Sequence, residues 1–161
     1  MAKKKKTHKL SLIIFLALIF FSFASIALLN ITNFEEYLVA DVLQVNGNTV
    51  ILGNNCTAIV AETSPERAHS IETGMKGIIE QRPDTYDIFA QTLKSFNITL
   101  EYVTLDNFEN NTYYANLFLR SGNKFLKLDV KPSDGIALAI RTNSTIYINK
   151  TLLSEQGQNI C

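Results

Sequence analysis

The chain has 161 residues, and its 15 basic and 15 acidic side chains cancel. The balance is uneven: Lys3, Lys4, Lys5, Lys6 and Lys9 precede every acid, so the rest carries 10 bases against 15 acids. An acidic domain of about 130 residues has room for one core, but it excludes holding a polyanion by bulk attraction, which here needs a local basic patch or a metal ion.

Leu10 to Leu29 holds no charge and is broken only by Ser11, Ser22 and Ser25. At about 1.5 Å per residue it reaches roughly 30 Å, a hydrocarbon core's thickness. The lysines before it should stay inside. The expected layout is a basic cytoplasmic tail at 1–9, a transmembrane anchor at 10–29, a linker at 30–37 and a domain at 38–161. This describes a single-pass protein of the cell membrane with its C-terminal domain outside the cytoplasm. A cleaved signal peptide is the rival reading, with Ser25-Ile26-Ala27 as a weak cleavage site; it exports the domain as well. Asn-x-Ser/Thr triplets begin at Asn30, Asn55, Asn97, Asn110, Asn143 and Asn149. They are glycosylation candidates in an exported chain, or the mark of a chain rich in Asn and Thr. Cys56 and Cys161 form a disulfide or stay as two thiols.

Within the domain, Leu38–Val45 and Thr49–Leu52 flank Asn46-Gly47-Asn48, a hairpin signal. Thr57–Glu62 reads as a third strand. Ser64-Pro65-Glu66 opens a helix to about Lys76. Pro83 and Asp84 open a second, with Ile88, Phe89, Thr92, Leu93 and Phe96 on its expected buried face. Three alternating strands follow, over Ile98–Val103, Tyr113–Arg120 and Phe125–Val130. Their turn-rich connections predict an antiparallel meander. Ser133 can cap a third helix, Asp134–Arg141. Thr145–Ile148 is a short strand and Thr151–Gln156 a last helical turn. The fold class is α+β: an antiparallel or mixed sheet with a hairpin, a three-strand meander and about three packed helices, preceded by one transmembrane helix.

Chemistry concentrates at two helix starts. At Asp129-Val130-Lys131-Pro132-Ser133-Asp134, a capping serine, a first-turn acid and an entry proline explain three residues. Asp129 and Lys131 remain, on one face opposite Leu128 and Val130. They form a salt bridge or bind an ion. At Arg82-Pro83-Asp84-Thr85-Tyr86-Asp87, Thr85 could cap. Arg82 opposes the helix dipole, so it calls for an anion or an acid such as Asp129 or Asp134. His69 reads as a surface residue. No phosphate loop, dinucleotide fingerprint, zinc motif or Ser-His-Asp set is present. The groups available suit metal-assisted phosphodiester hydrolysis.

Together, Arg82-Pro83-x-Thr85-x-Asp87 and the later Asp129-x-Lys131-Pro132-Ser133-Asp134-x-Ile136-Ala137-Leu138-Ala139-x-Arg141 resemble the bifunctional nuclease family. Asn111-Thr112-Tyr113-Tyr114-Ala115 is similar to its central strand. The likeness runs from about Val39 to Gly157. It implies an α+β domain and nuclease activity on DNA and RNA. Where the family pattern reads His, this chain has Tyr86; where it reads Ala, Arg and Ala, this chain has Val130, Lys131 and Gly135. The expected catalytic carboxylates are Asp87, Asp129 and Asp134, with Asp129 and Asp134 as ligands of a divalent metal such as Mg or Mn. Arg82, Lys131, Thr85 and Ser133 are expected to contact substrate phosphate. Expected partners are the membrane through residues 10–29, nucleic acid, and further copies of the chain as a homo-oligomer. The alternative is a non-catalytic extracytoplasmic binding module that retains the fold.

Overall fold

The computed structural model describes residues 34–161. The expected tail, anchor and Asn30 lie outside the described residues. Among the described residues no helix is long and apolar enough to cross a membrane.

A short 3-10 turn, Phe34–Glu36, occupies part of the expected linker, and β1 (Tyr37–Asn46) starts directly after it. Then come β2 (Thr49–Asn54), β3 (Thr57–Glu62), α1 (Pro65–Met75), α2 (Thr85–Ser95), β4 (Thr99–Glu109), β5 (Thr112–Ser121), β6 (Lys124–Val130), α3 (Pro132–Thr142), β7 (Thr145–Asn149), α4 (Lys150–Gln156) and β8 (Gln158–Asn159). The strands form one sheet in the order β6-β5-β4-β7-β1-β2-β3-β8. The hairpin and the meander are antiparallel as expected; β4 and β7 run parallel, so the sheet is mixed. β1 bridges the two halves, pairing β7 through Tyr37–Ala40 and β2 through Asp41–Asn46.

The turns follow from their residues. Gly47 takes φ 57° between β1 and β2, and Gly122 φ 57° between β5 and β6. Asn55 supplies the left-handed residue between β2 and β3, and Asn110 with Asn111 between β4 and β5. Asn tolerates this region because its short side chain bonds locally. Asn97 and Asn143 are left-handed as well, Asn143 as the C-cap of α3. Asn149 caps α4, accepting from the backbone of Thr151 (2.8 Å) and Leu152 (3.3 Å). All five described glycosylation candidates therefore do backbone work, which accounts for why asparagine stands there.

The core lies between the sheet and the helices. Val103, Leu105, Ala115, Leu117 and Leu119 of the meander meet Ile136, Ala137, Leu138 and Ala139 of α3 and Ile71 of α1. Gly135 lets α3 approach the sheet, since a Cβ there would stand 3.0 Å from Val103 Cγ1. Two helix starts differ from expectation. Lys131, not Ser133, is the N-cap of α3, with Pro132 as first residue and no side-chain cap. Asp84, not Thr85, caps α2, with Asp87 completing a capping box. The apolar spacing of α2 also misleads: of Ile88, Phe89, Thr92, Leu93 and Phe96 only Leu93 is buried, and Phe96 is 71% exposed.

Cys56 and Cys161 are joined in a disulfide across 105 positions. It ties the β2–β3 turn to the chain end, where β8 pairs with Thr57 and Ala58. Closing so long a loop restricts the unfolded chain. Cys161→Ser should lower the unfolding free energy by about 2–5 kcal/mol, read from urea unfolding of the oxidised parent and the variant.

Candidate functional site

The two polar helix starts converge. Tyr86 Oη, in the first turn of α2, donates to Asp134 Oδ1 at 2.5 Å, in the first turn of α3. Arg67 Nε, in the first turn of α1, donates to the same oxygen at 2.6 Å. Three helix starts thus meet at one carboxylate, whose acceptor role suits positive N-termini. Burial pushes the Tyr86 phenol up, and the bond to Asp134 and its charge add to this, to about 12. At neutral pH Tyr86 is therefore a donor, not a proton acceptor.

Behind this cluster lies a buried guanidinium. Arg141, at the C-terminal end of α3, is 6% exposed. Its Nε donates to Asp87 Oδ1 (2.5 Å) and its Nη2 to Asp84 Oδ2 (2.9 Å) and Thr73 Oγ1 (3.4 Å). Its Nη1 donates to the carbonyls of Ser70 (3.0 Å) and Ala137 (3.1 Å). Its Cζ lies 5.8 Å from the Tyr86 ring centroid. Gly74 makes room, because a Cβ there would come within 2.8 Å of Nη1. Ser70 Oγ donates to Asp84 Oδ2 at 2.5 Å. Burial acts to raise the Asp84 carboxyl. The bonds from Ser70 and from the Asp87 and Tyr86 amides, with the Arg141 charge, outweigh it and hold the group below its ordinary value.

Two concavities open beside Arg67. One is a cavity of about 400 Å³ with apolar walls from Val50, Leu52, Ile59, Ile71, Leu105 and Ile136, and with Ser64, Arg67, Lys131 and Ser133 among its other lining residues. The other is a shallow polar groove formed by Ser64, Glu66, Arg67, Ser70, Asp84, Thr85 and Tyr86. Ser64 and Arg67 line both.

The site residues expected from sequence divide accordingly. Lys131 and Ser133 line the cavity and Thr85 the groove, while Asp134 lines neither and instead holds Arg67, which lines both. Asp87 sits behind them, 10% exposed and committed to Arg141 and to the Asp84 amide. Arg82 is exposed and has neither an acidic partner nor a place in either concavity among the described residues; Asp129 and Asp134 do not serve it. Asp129 and Lys131 do not bridge to each other. Asp129 stands opposite Asn116 on β5, on the sheet face that α3 does not cover. A divalent ion held by Asp129 and Asp134 together does not fit this placement, because Asp134 faces Arg67 and Tyr86 on the helix side. Among the described residues no group of three or more His, Cys, Asp or Glu side chains converges. His69 is exposed and pairs with Glu80 at 2.9 Å, as a surface residue should.

Arg67, Ser70, Asp84 and Arg141 were not singled out from sequence as site residues. Arg141 carried one signal, a lone charge four residues beyond Ala137 in an otherwise apolar stretch. Arg67 carried none, since its partner lies 67 positions away.

This α+β scaffold, with its charged cluster at converging helix starts beside a cavity, is a nuclease-like domain by family. Residues 53–160 match the model of the bifunctional nuclease domain, and the chain belongs to that family. It is 27% identical over 90 residues to an uncharacterized protein of Mycobacterium tuberculosis, covering 56% of this chain and 53% of that protein. It is 26% identical over 89 residues to Bifunctional nuclease 1 of Oryza sativa, covering 53% of this chain and 27% of the rice protein. The chain thus spans about half the length of the first relative and about a quarter of the second.

The Arg141 network makes two predictions. Arg141→Ala leaves the nearly buried Asp87 and the partly exposed Asp84 without their counter-charge and should cost about 3–5 kcal/mol of stability, measured by urea unfolding. Asp84 titrates lower folded than unfolded. Its contribution is therefore complete above its unfolded value near ~4 and is lost as pH falls through the lower folded value. Between pH 7 and 3 the parent should lose more stability than Asp84→Asn; equal losses would remove Asp84 from the acid response.

Proposed function

We propose that this domain binds single-stranded nucleic acid across Arg67, with a base in the apolar cavity and the adjoining backbone phosphodiester in the polar groove, where water adds to phosphorus, one P–O ester bond breaks, and a water proton passes to the leaving oxygen. The observation that carries this reading is the shared wall: one guanidinium borders both the apolar cavity and the polar groove. The cavity has the size of a small-ligand site, and a base still paired and stacked in a duplex could not enter it. Arg67 and Lys131 supply local positive charge on an otherwise acidic domain. The Ser133 amide, at the second position of α3, adds a donor at a helix start.

The side chains divide the chemistry. Asp134 orients Arg67 and Tyr86 through one oxygen. Arg67 neutralises charge on the phosphate as it develops. Tyr86, protonated at neutral pH, commits its one proton to Asp134 and so fixes the carboxylate that orients Arg67. Thr85 and Ser133 support the backbone by hydrogen bonding. The domain works outside the cytoplasm, held to the cell membrane by residues 10–29. Its disulfide supports that compartment, since such bonds persist in oxidising surroundings.

A second reading, a non-catalytic module that keeps the fold and the binding cleft, is favoured by two observations. Asp84, Asp87 and Asp134 each already pair with an arginine. Tyr86, standing where the family pattern has His, does not accept a proton near neutral pH.

The test incubates the full chain with single-stranded and duplex DNA and RNA, in Mg²⁺, Mn²⁺ or EDTA, reading cleavage on gels and binding by anisotropy. Cleavage confined to single strands and cut at least tenfold by Arg67→Ala and by Asp134→Asn is the expected result. Binding without cleavage in any ion selects the second reading, and absence of both overturns the two together. Tyr86→His should raise cleavage and add an ionisation near pH ~6.5 to its rate profile. Reporter enzymes fused after Cys161 should be active only outside the cytoplasm; a cytoplasmic terminus would refute the proposed topology.

A further inference from the structure

β6 is an edge strand of the sheet among the described residues, and it is unlike the opposite edge. β8 contributes two residues there, whereas β6 offers seven, all but Val130 exposed. Its apolar side chains are open on both faces: Leu126 (51%) and Leu128 (37%) on the helix side, Phe125 (53%) on the other. No proline or bulge interrupts it, and of the devices that ordinarily protect a free edge it carries only charged side chains, Lys124, Lys127 and Asp129. Asp129, a residue of the family motif, has no partner among the described residues. Lys127 lies 5.5 Å from the Phe118 ring centroid on the same face as Asp129.

The order of side chains limits what can pair with this edge. In an antiparallel pair related by a two-fold axis, opposite residues share a face. An axis through Leu128 sets Leu128 against Leu128, Leu126 against Val130, and Lys127 against Asp129 of the second copy. Every apolar residue on the helix side then meets an apolar residue, and each charge on the other side meets its opposite. An axis through Lys127 would oppose two lysines and set Phe125 against Asp129. Like charges directly opposite destabilise a sheet, so the sequence selects one register and rejects its neighbour. We propose that β6 pairs with β6 of a second copy of this chain, antiparallel about a two-fold axis at Leu128, which joins two sheets and gives Asp129 its partner.

The proposal is independent of the nuclease reading and is tested on the full chain in detergent micelles, with the native disulfide intact. Opposite residues in an antiparallel pair stand about 4.5–5.5 Å apart, within disulfide reach. Leu128→Cys should therefore give a disulfide-linked dimer under mild oxidation, resolved on non-reducing gels. Phe125→Cys places the two sulfurs six residues apart along the ladder, roughly 20 Å, and should cross-link at most a tenth as well. Because Phe125 is the more exposed of the two, random collision would favour it. No dimer from Leu128→Cys, or equal yields from both, overturns the pairing. In the Leu128→Cys background, Lys127→Asp should lower the yield at least fivefold, and adding Asp129→Lys should restore it. Failure of the double swap to restore cross-linking in a folded protein overturns the register.

Discussion

The arrangement of helices depends on the guanidinium of Arg141. Burying a charge costs several kcal/mol unless its donors and its countercharge are both satisfied. Here five hydrogen bonds and two carboxylates surround it, drawn from α1, from α3 itself and from the start of α2. α1 and α3 have apolar faces that would hold them on the sheet without it. α2 has less of such a face, with Leu93 its one buried side chain and Tyr86 and Ala90 partly buried against the core. What it adds is polar: the capping box of Asp84 and Asp87, and the arginine that both carboxylates reach. Asp87 thus serves the architecture first, holding α2 where Tyr86 can meet Asp134.

The candidate site inherits its geometry from that anchor. Tyr86 lies between two arginines, its ring near Arg141 and its hydroxyl on the carboxylate that Arg67 also holds. A displacement of α2 would separate Tyr86 from Asp134, and Arg67 would keep its partner while losing the wall of the groove. Stability and the geometry of the candidate site are therefore coupled through residues 54 to 71 positions away from Arg141.

That separation explains what the sequence could and could not reveal. The strands were legible because alternation is local, and so was the convergence of the two polar helix starts, once both were seen as halves of one pattern. The arginine network was not legible, because nothing near Arg141 or Arg67 in the chain indicates which acid each will meet. The apolar residues of α2 misled for a related reason. Helical spacing shows that a face is apolar, not that anything covers it, and α2 turns Ile88 and Phe96 to solvent. The asparagines carried a real signal that admitted two causes. Left-handed turns at Asn55, Asn97, Asn110 and Asn143 demand the same residue that a glycan acceptor does. The disulfide stayed open in the sequence because it depends on β8, a two-residue strand too short to show alternation.

The substitution at Tyr86 bears most directly on chemistry. A histidine at this position would face Asp134, which favours its protonated form, and two arginines, which oppose it. Its charge would then be set by a balance of neighbours near physiological pH. Tyrosine removes that balance. The phenol stays protonated, the bond to Asp134 persists over the whole physiological range, and the link between α2 and α3 no longer varies with pH. The same exchange that takes away a candidate proton acceptor makes the junction a more constant structural joint. Any hydrolysis proposed here must draw its proton acceptor from elsewhere, while Asp134 still holds the Arg67 guanidinium in place.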